Sequence, residues 1–300
     1  MSAALKYINV RGTEVEQAFQ KMPFLDFTYT DFERNFEVNV LHQWSKDTWP
    51  HVPLALCAIY LVAIFGGKHY MKDRKPAGDT NRAFLAAWNL LLSTFSFMGM
   101  FRTVPHLLHN ILNKSLEDNV CGSAHADWGS FATGLWVQLF IYSKPFELFD
   151  TYFIVHRKRP LIFLHWYHHV TVLLFCWHSY AFESATGLFF VGMNYSVHAI
   201  MYGYYCLMAL RMKPKWMNPL FITVAQIMQM VVGVFVCVAS YYYKFNSTGA
   251  CGVTNDNLLA GTVMYGSYFA LFFKFALDRY MGKAGMSTGM EKNKKKKKAA

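Results

Sequence analysis

The stretch LIFLHWYHHVTVLLFCWHSY, residues 161–180, decides the reading of this chain. It is long and apolar enough to span a bilayer, yet it holds His165, His168 and His169 in an HxxHH pattern. Ionisable side chains at that depth are costly and by default mark a functional site with partners on neighbouring helices. In a helix, positions i, i+3 and i+4 lie on one face, so the three imidazoles point the same way. One such histidine would read as a hydrogen-bonded packing residue; three on one stripe point to chemistry.

Outward from this box the chain stays apolar. Of its 300 residues 54% are hydrophobic and 18% aromatic, which places it among integral membrane proteins. Seven runs read as spans: 51–67, 83–101, 128–143, 160–180, 184–208, 218–242 and 258–280. The third is short, and reaches across only if its helix continues past Pro145 into a more polar stretch. Residues 1–50 mix polar and aromatic positions, unlike the basic-then-apolar order of a cleavable signal peptide. They read as a segment outside the bilayer with some amphipathic helix, and residues 281–300 as a basic tail. The expected fold class is an all-α integral membrane protein with seven transmembrane helices over 51–280, undivided by linker or repeat.

Basic residues set the orientation. Segments 68–82, 144–160 and 209–217 hold twelve Lys and Arg; the alternate loops hold three, Arg102, Lys114 and Lys244. That puts the first set in the cytosol, the N-terminus in the lumen and the C-terminal tail in the cytosol. The formal charge of +11 then belongs to the cytosolic face and needs no nucleic acid to explain it. Asn113-Lys-Ser and Asn246-Ser-Thr, both glycosylation sequons, fall in expected luminal loops. So do Cys121 and Cys251, where an oxidising compartment would permit a disulfide. The other four cysteines sit in apolar runs and read as packed thiols. The chain ends Lys297-Lys298-Ala-Ala, which on a cytosolic tail resembles a dilysine signal for retrieval to the endoplasmic reticulum.

Polar residues converge on one level. Lys144, Glu147 and Asp150, followed by Thr151, form a polar stripe if helical, with Lys144 and Glu147 close enough to pair. Asn194, His198, Met201, Tyr202 and Tyr205 share one face of the fifth span, and the sixth contributes Thr223, Gln226 and Gln229. Counted from the cytosolic ends, His168 lies roughly 12 Å deep, His198 roughly 15 Å and Gln226 roughly 12 Å. Amides at such depth often serve as interhelical glue, but three helices reaching the level of the histidine box make a site.

Two chemistries suit it. Membrane di-iron desaturases and hydroxylases use several histidine boxes, whereas this chain has one box plus His198; a zinc site from His165, His168 and His198 stays arithmetically allowed. Alternatively, an imidazole accepts an acyl group and passes it on, a second moves the proton, and amides such as Asn194 or Gln226 orient a ring or an oxyanion. The rival from another class is a non-enzymatic seven-span receptor or transporter; the cytosol-facing site and the retrieval tail weigh against it.

KPFELFDT (144–151), HWYHH (165–169), NYSVHAIMYGYY (194–205) and TVAQIMQ (223–229) resemble, in order and spacing, the KxxExxDT, HxxHH, NSxVHxxMYxYY and TxxQxxQ motifs of the fatty acid elongases. Tyr195 departs from the pattern, where most members carry Ser, and is expected to alter shape rather than chemistry. The resemblance implies a 3-oxoacyl-CoA synthase of the endoplasmic reticulum that condenses a fatty acyl-CoA with malonyl-CoA, using no cofactor or metal. It implies six spans in a barrel around a narrow acyl tunnel closed at the luminal end, with the first span outside. His168 is the implied nucleophile, with His198 opposite it. His165 and His169 would orient the thioester or relay a proton. Lys144 and the basic residues Arg157, Lys158 and Arg159 would hold CoA phosphates at the mouth, while Glu147 and Asp150 would fix helix ends and histidine tautomers. The remaining motif residues, Thr151, Asn194, Met201, Tyr202, Tyr205, Gln226 and Gln229, would line the substrate. The resemblance also implies homo-oligomers and association with the reductases and dehydratase of the elongation cycle.

Overall fold

The computed structural model describes residues 8–281 apart from 10, 16, 38, 39 and 77. The basic tail with its terminal dilysine lies outside the described residues. Among these, every regular element is a helix, with an isolated bridge between Ile8 and Glu14. Eight helices carry the bundle: α1 His51–Tyr70, α2 Asp79–Asn113, α3 Phe131–Glu147, α4 Asp150–His156, α5 Phe163–Ala181, α6 Gly187–Ala209, α7 Pro219–Asn246 and α8 Asn255–Ala276. Helices α1, α2 and α7, and α8 with the turn that follows it, are long and apolar enough to cross a membrane. Helix α3 has only 17 residues, and the histidines, amides and tyrosines of α5 and α6 dilute their apolar character.

Contacts between helices close a ring in the order α2, α6, α7, α8, α5, α3 and back to α2. Helix α1 packs outside it, against α4 and α5. In this ring α5 and α6, which carry the histidines, stand on opposite walls. One end holds the disulfide Cys121–Cys251, reinforced by Gly252 N–H donating to the Cys121 carbonyl at 2.7 Å. The starts of α5 and α7 and the ends of α4 and α6 form the other, basic end.

Three sequence expectations are refined. The third span, short by itself, is prolonged by helix to His156, and residues 157–160 form the turn that follows. Leu148 and Phe149 keep right-handed helical dihedrals between α3 and α4, so the chain runs on past Pro145 with a local break; proline removes one backbone donor and crowds the carbonyl four residues earlier. The second span extends to Asn113, so Arg102 and Pro105 lie inside a 35-residue helix. Asn113 and Asn246 are exposed last residues of α2 and α7, each donating its side-chain amide to a carbonyl four residues back.

Residues before α1 cap the disulfide end through short helices at Ala18–Lys21, Asp31–Arg34 and Val40–Asp47. Glu33 accepts Arg102 Nε at 2.7 Å and Trp136 Nε1 at 2.8 Å, and the Arg102 guanidinium lies 4.2 Å from the Tyr29 ring centre. Burial pushes the Glu33 carboxyl up, but hydrogen bonds from Arg102, the Thr30 amide and Trp136 outweigh it and hold the group below the ordinary carboxylate value. Gly99 makes room on α2 for the Tyr195 ring of α6. Tyr195 is 1% exposed, donates its hydroxyl to the Trp136 carbonyl at 2.9 Å, and lies where a Cβ on Gly99 would stand 2.3 Å from its ring.

Candidate active site

A cavity of about 580 Å³ runs from the basic end to the histidine box. His165, His168 and His169 line one wall and His198 and Asn194 the opposite one. Glu147, Asp150, Met201, Tyr202, Tyr205, Gln226 and Gln229 complete the chamber, and Arg82, Arg157 and Arg159 line its mouth. The helical face counted from sequence on α6 is therefore the face turned inward.

Two expected substrate contacts lie behind the wall. Lys144 is 2% exposed and lines no part of the cavity. Its ammonium sits 2.6 Å from Glu147 Oε1, 3.3 Å from Asn194 Oδ1 and 3.8 Å from the Phe140 ring centre. The expectation that it meets phosphate at the mouth is corrected: the cation is consumed by a buried ion pair. Thr151 is fully buried and joins Tyr60 hydroxyl (2.8 Å) to His165 Nε2 (2.9 Å).

The Lys144 contact sets protons further along. An ammonium only donates, so the Asn194 atom facing it is the oxygen, and its NH2 faces His198 Nε2 at 3.2 Å. That ring nitrogen accepts, which places the His198 proton on Nδ1, 3.8 Å from Glu147 Oε2. Ser143 Oγ donates to Glu147 Oε1 at 2.9 Å. Lys144, Glu147, His198 and Asn194 thus form a closed polar circuit across α3 and α6.

Asp150 accepts Trp88 Nε1 at 2.6 Å and Tyr202 hydroxyl at 2.7 Å, tying α4 to α2 and α6. Gln226 Nε2 lies 3.4 Å from Met201 Sδ, across α7 and α6. Within the box, His165 alone has a ring hydrogen bond among the described residues. His169 is buried, and the more exposed His168 packs its ring 5.0 Å from Tyr268 and 5.6 Å from His169. No three His, Cys, Asp or Glu side chains among the described residues are grouped to hold a metal ion.

Sequence reading missed Tyr60, Trp88, Arg82 and Tyr268. For the three aromatic residues, a hydroxyl or indole inside an apolar run is the available signal, but such residues are too common in these spans to be singled out; Arg82 counts in sequence only among the basic residues that set the orientation. 

Residues 45–291 match the ELO: GNS1/SUR4 family. The chain is 40% identical over 256 residues to very long chain fatty acid elongase 6 of Drosophila melanogaster, an alignment covering 85% of this chain and 80% of that one. It is 40% identical over 267 residues to very long chain fatty acid elongase 6 of Gallus gallus, covering 87% and 96%. The Homo sapiens protein of that name is 38% identical over 271 residues, covering 90% and 99%. With the ring of helices and every cavity residue inside the matched region, the chain belongs to the ELO (GNS1/SUR4) family.

Proposed function

We propose that this chain is a 3-oxoacyl-CoA synthase that joins a fatty acyl-CoA to malonyl-CoA through an acyl-imidazole on His168. The observation that carries this reading is the contrast inside the box. His165 is tied to Thr151 and His169 is buried, 6% exposed, beside the Tyr60 ring of α1, whereas the more exposed His168 presents ring nitrogens with no hydrogen-bond partner among the described residues to a cavity whose opposite wall holds His198. A nucleophile must have its lone pair available, and His168 meets that condition.

A ring nitrogen of His168 attacks the thioester carbonyl, the C–S bond breaks, and CoA departs with the imidazole proton. Malonyl-CoA then loses CO2, and the electron pair of the broken C–C bond stays on the carbon beside its thioester. That carbon attacks the acyl-imidazole, the C–N bond breaks, and 3-oxoacyl-CoA forms. The imidazolate left behind regains one proton from solvent admitted at the cavity mouth. Arg82, Arg157 and Arg159 at the mouth suit the CoA phosphates. The site then opens to the cytosol, with the capped disulfide end in the lumen of the endoplasmic reticulum.

Purified protein given acyl-CoA alone should carry an acyl adduct on the 161–180 peptide, read by mass spectrometry. Labelled malonyl-CoA should then convert it to a product two carbons longer. His168→Ala should lose both signals, and retained turnover would refute the nucleophile. Stoichiometric iron in active protein would replace this mechanism with di-iron chemistry.

A further inference from the structure

Among the described residues no hydrogen bond holds the His168 ring, yet an attacking nitrogen must be aimed. A side chain without such an anchor samples several staggered rotamers, and only the fraction in the reactive one contributes to rate. Among the described residues, the ring contact to His168 that comes from another helix is Tyr268 on α8, outside all four sequence motifs. We infer that Tyr268 is a positioning residue for His168, its ring forming the surface against which the imidazole is set; this rests on the acyl-imidazole reading above.

Tyr268 is suited to the task because it is itself held by burial and hydrogen bonds. It is 2% exposed, its hydroxyl donates to Thr171 Oγ1 at 2.5 Å, and the same hydroxyl lies 3.1 Å from the His168 carbonyl. Thr171 in turn donates to the Tyr167 carbonyl at 2.7 Å. One residue away, Tyr167 hydroxyl and Ser267 Oγ meet at 2.9 Å, fixing α8 against α5. The tyrosine therefore grips both the backbone of His168 and, at a 39° tilt, its ring. The hydroxyl secures the tyrosine, and the aromatic face secures the histidine.

The test compares Tyr268→Phe with Tyr268→Leu in full-length protein that stays monodisperse in detergent. Tyr268→Phe keeps the ring and should acylate within about threefold of the unaltered chain, while Tyr268→Leu should lose about tenfold or more in the acylation rate and kcat. KM for acyl-CoA should not change in either. A Leu variant that acylates at the original rate, or whose loss falls in KM, overturns the inference. Should Tyr268→Leu fail to fold, Tyr268→Met, which fills the space without an aromatic face, takes its place with the same expected loss in kcat at constant KM; an unchanged kcat overturns it equally.

A second readout separates this inference from the reading it rests on. Diethyl pyrocarbonate modifies accessible imidazoles without any turnover. The ratio of His168 to His165 modification, mapped by mass spectrometry, should shift in Tyr268→Leu, and an unchanged ratio counts against positioning. If the unaltered chain never forms an acyl adduct, the acyl-imidazole reading fails, whereas that ratio still judges the tyrosine.

Discussion

Replacing Lys144 by Met removes the cation from the buried circuit and separates two roles for this residue. The side chains of Lys144 and Glu147 are 2% and 6% exposed and 2.6 Å apart. Deleting one partner of such a pair costs about 3–5 kcal/mol, because the remaining charge stays buried without compensation. Ser143 still donates to Glu147, so the expected loss is about 3 kcal/mol, the lower end of that range. The double variant Lys144→Met/Glu147→Gln should regain most of it, since neutral replacement of a whole buried pair is often tolerated. Denaturant unfolding in detergent reads both. Lys144→Met also frees the Asn194 amide to turn, so the His198 proton is no longer assigned to Nδ1, and kcat should fall about tenfold, or ~1.4 kcal/mol. KM for acyl-CoA should hold. A lysine that instead met phosphate would give the reverse: raised KM, strong salt dependence and unchanged stability. That outcome would refute the circuit.

Other perturbations reach the rest of the molecule. Gly99→Ala sets a methyl 2.3 Å from the Tyr195 ring and should cost about 1–3 kcal/mol by overpacking, relieved in Gly99→Ala/Tyr195→Ser; unfolding midpoints check both. Cys121→Ser opens a cross-link between residues 130 apart in sequence and should cost about 2–5 kcal/mol, matched by reductant treatment of the unaltered protein. Asp150→Asn keeps one acceptor for Trp88 and Tyr202 where the carboxylate offers two, and should cost about 1.5–3 kcal/mol, read as lost stability. The Glu33 carboxyl sits lower in the folded chain than its ordinary 4.5. Its contribution is therefore complete above that value and decays as pH falls through the lowered one. Hydrogen exchange over residues 18–47 should rise on acidification in the unaltered protein, and Glu33→Gln should flatten the dependence.

Much of the site was legible because polar side chains in apolar runs advertise themselves. The inward face of α6 follows from helical period, and His168, His198 and Gln226, which rise per residue sets at one expected depth, line the same cavity. Arg102 shows where local pattern stops. Read as a loop cation, it lies inside α2, neutralised by Glu33 and stacked on Tyr29. Both partners arrive from a segment some seventy residues earlier, and no window around Arg102 contains them. Tyr268 fails for a different reason: its role comes from the α5–α8 contact, and nothing in an apolar run specifies its neighbour.

Lys144 was misplaced for a geometric reason that the sequence does contain. Residues three apart on an α-helix are separated by about 300°, so a stripe at that spacing slips about 60° with each step. From Asp150 back to Lys144 the slip reaches about 120°, a third of the circumference. If Asp150 and Glu147 look into the chamber, Lys144 on the same continuous helix must look sideways, toward a neighbouring wall. The wall it meets is α6, at Asn194, and the near-helical turn at Leu148 and Phe149 is gentle enough to keep that slip intact. A side chain with a cation at its tip, turned away from water into a helix interface, holds its charge only beside an anion; Glu147, one step along the stripe, supplies it.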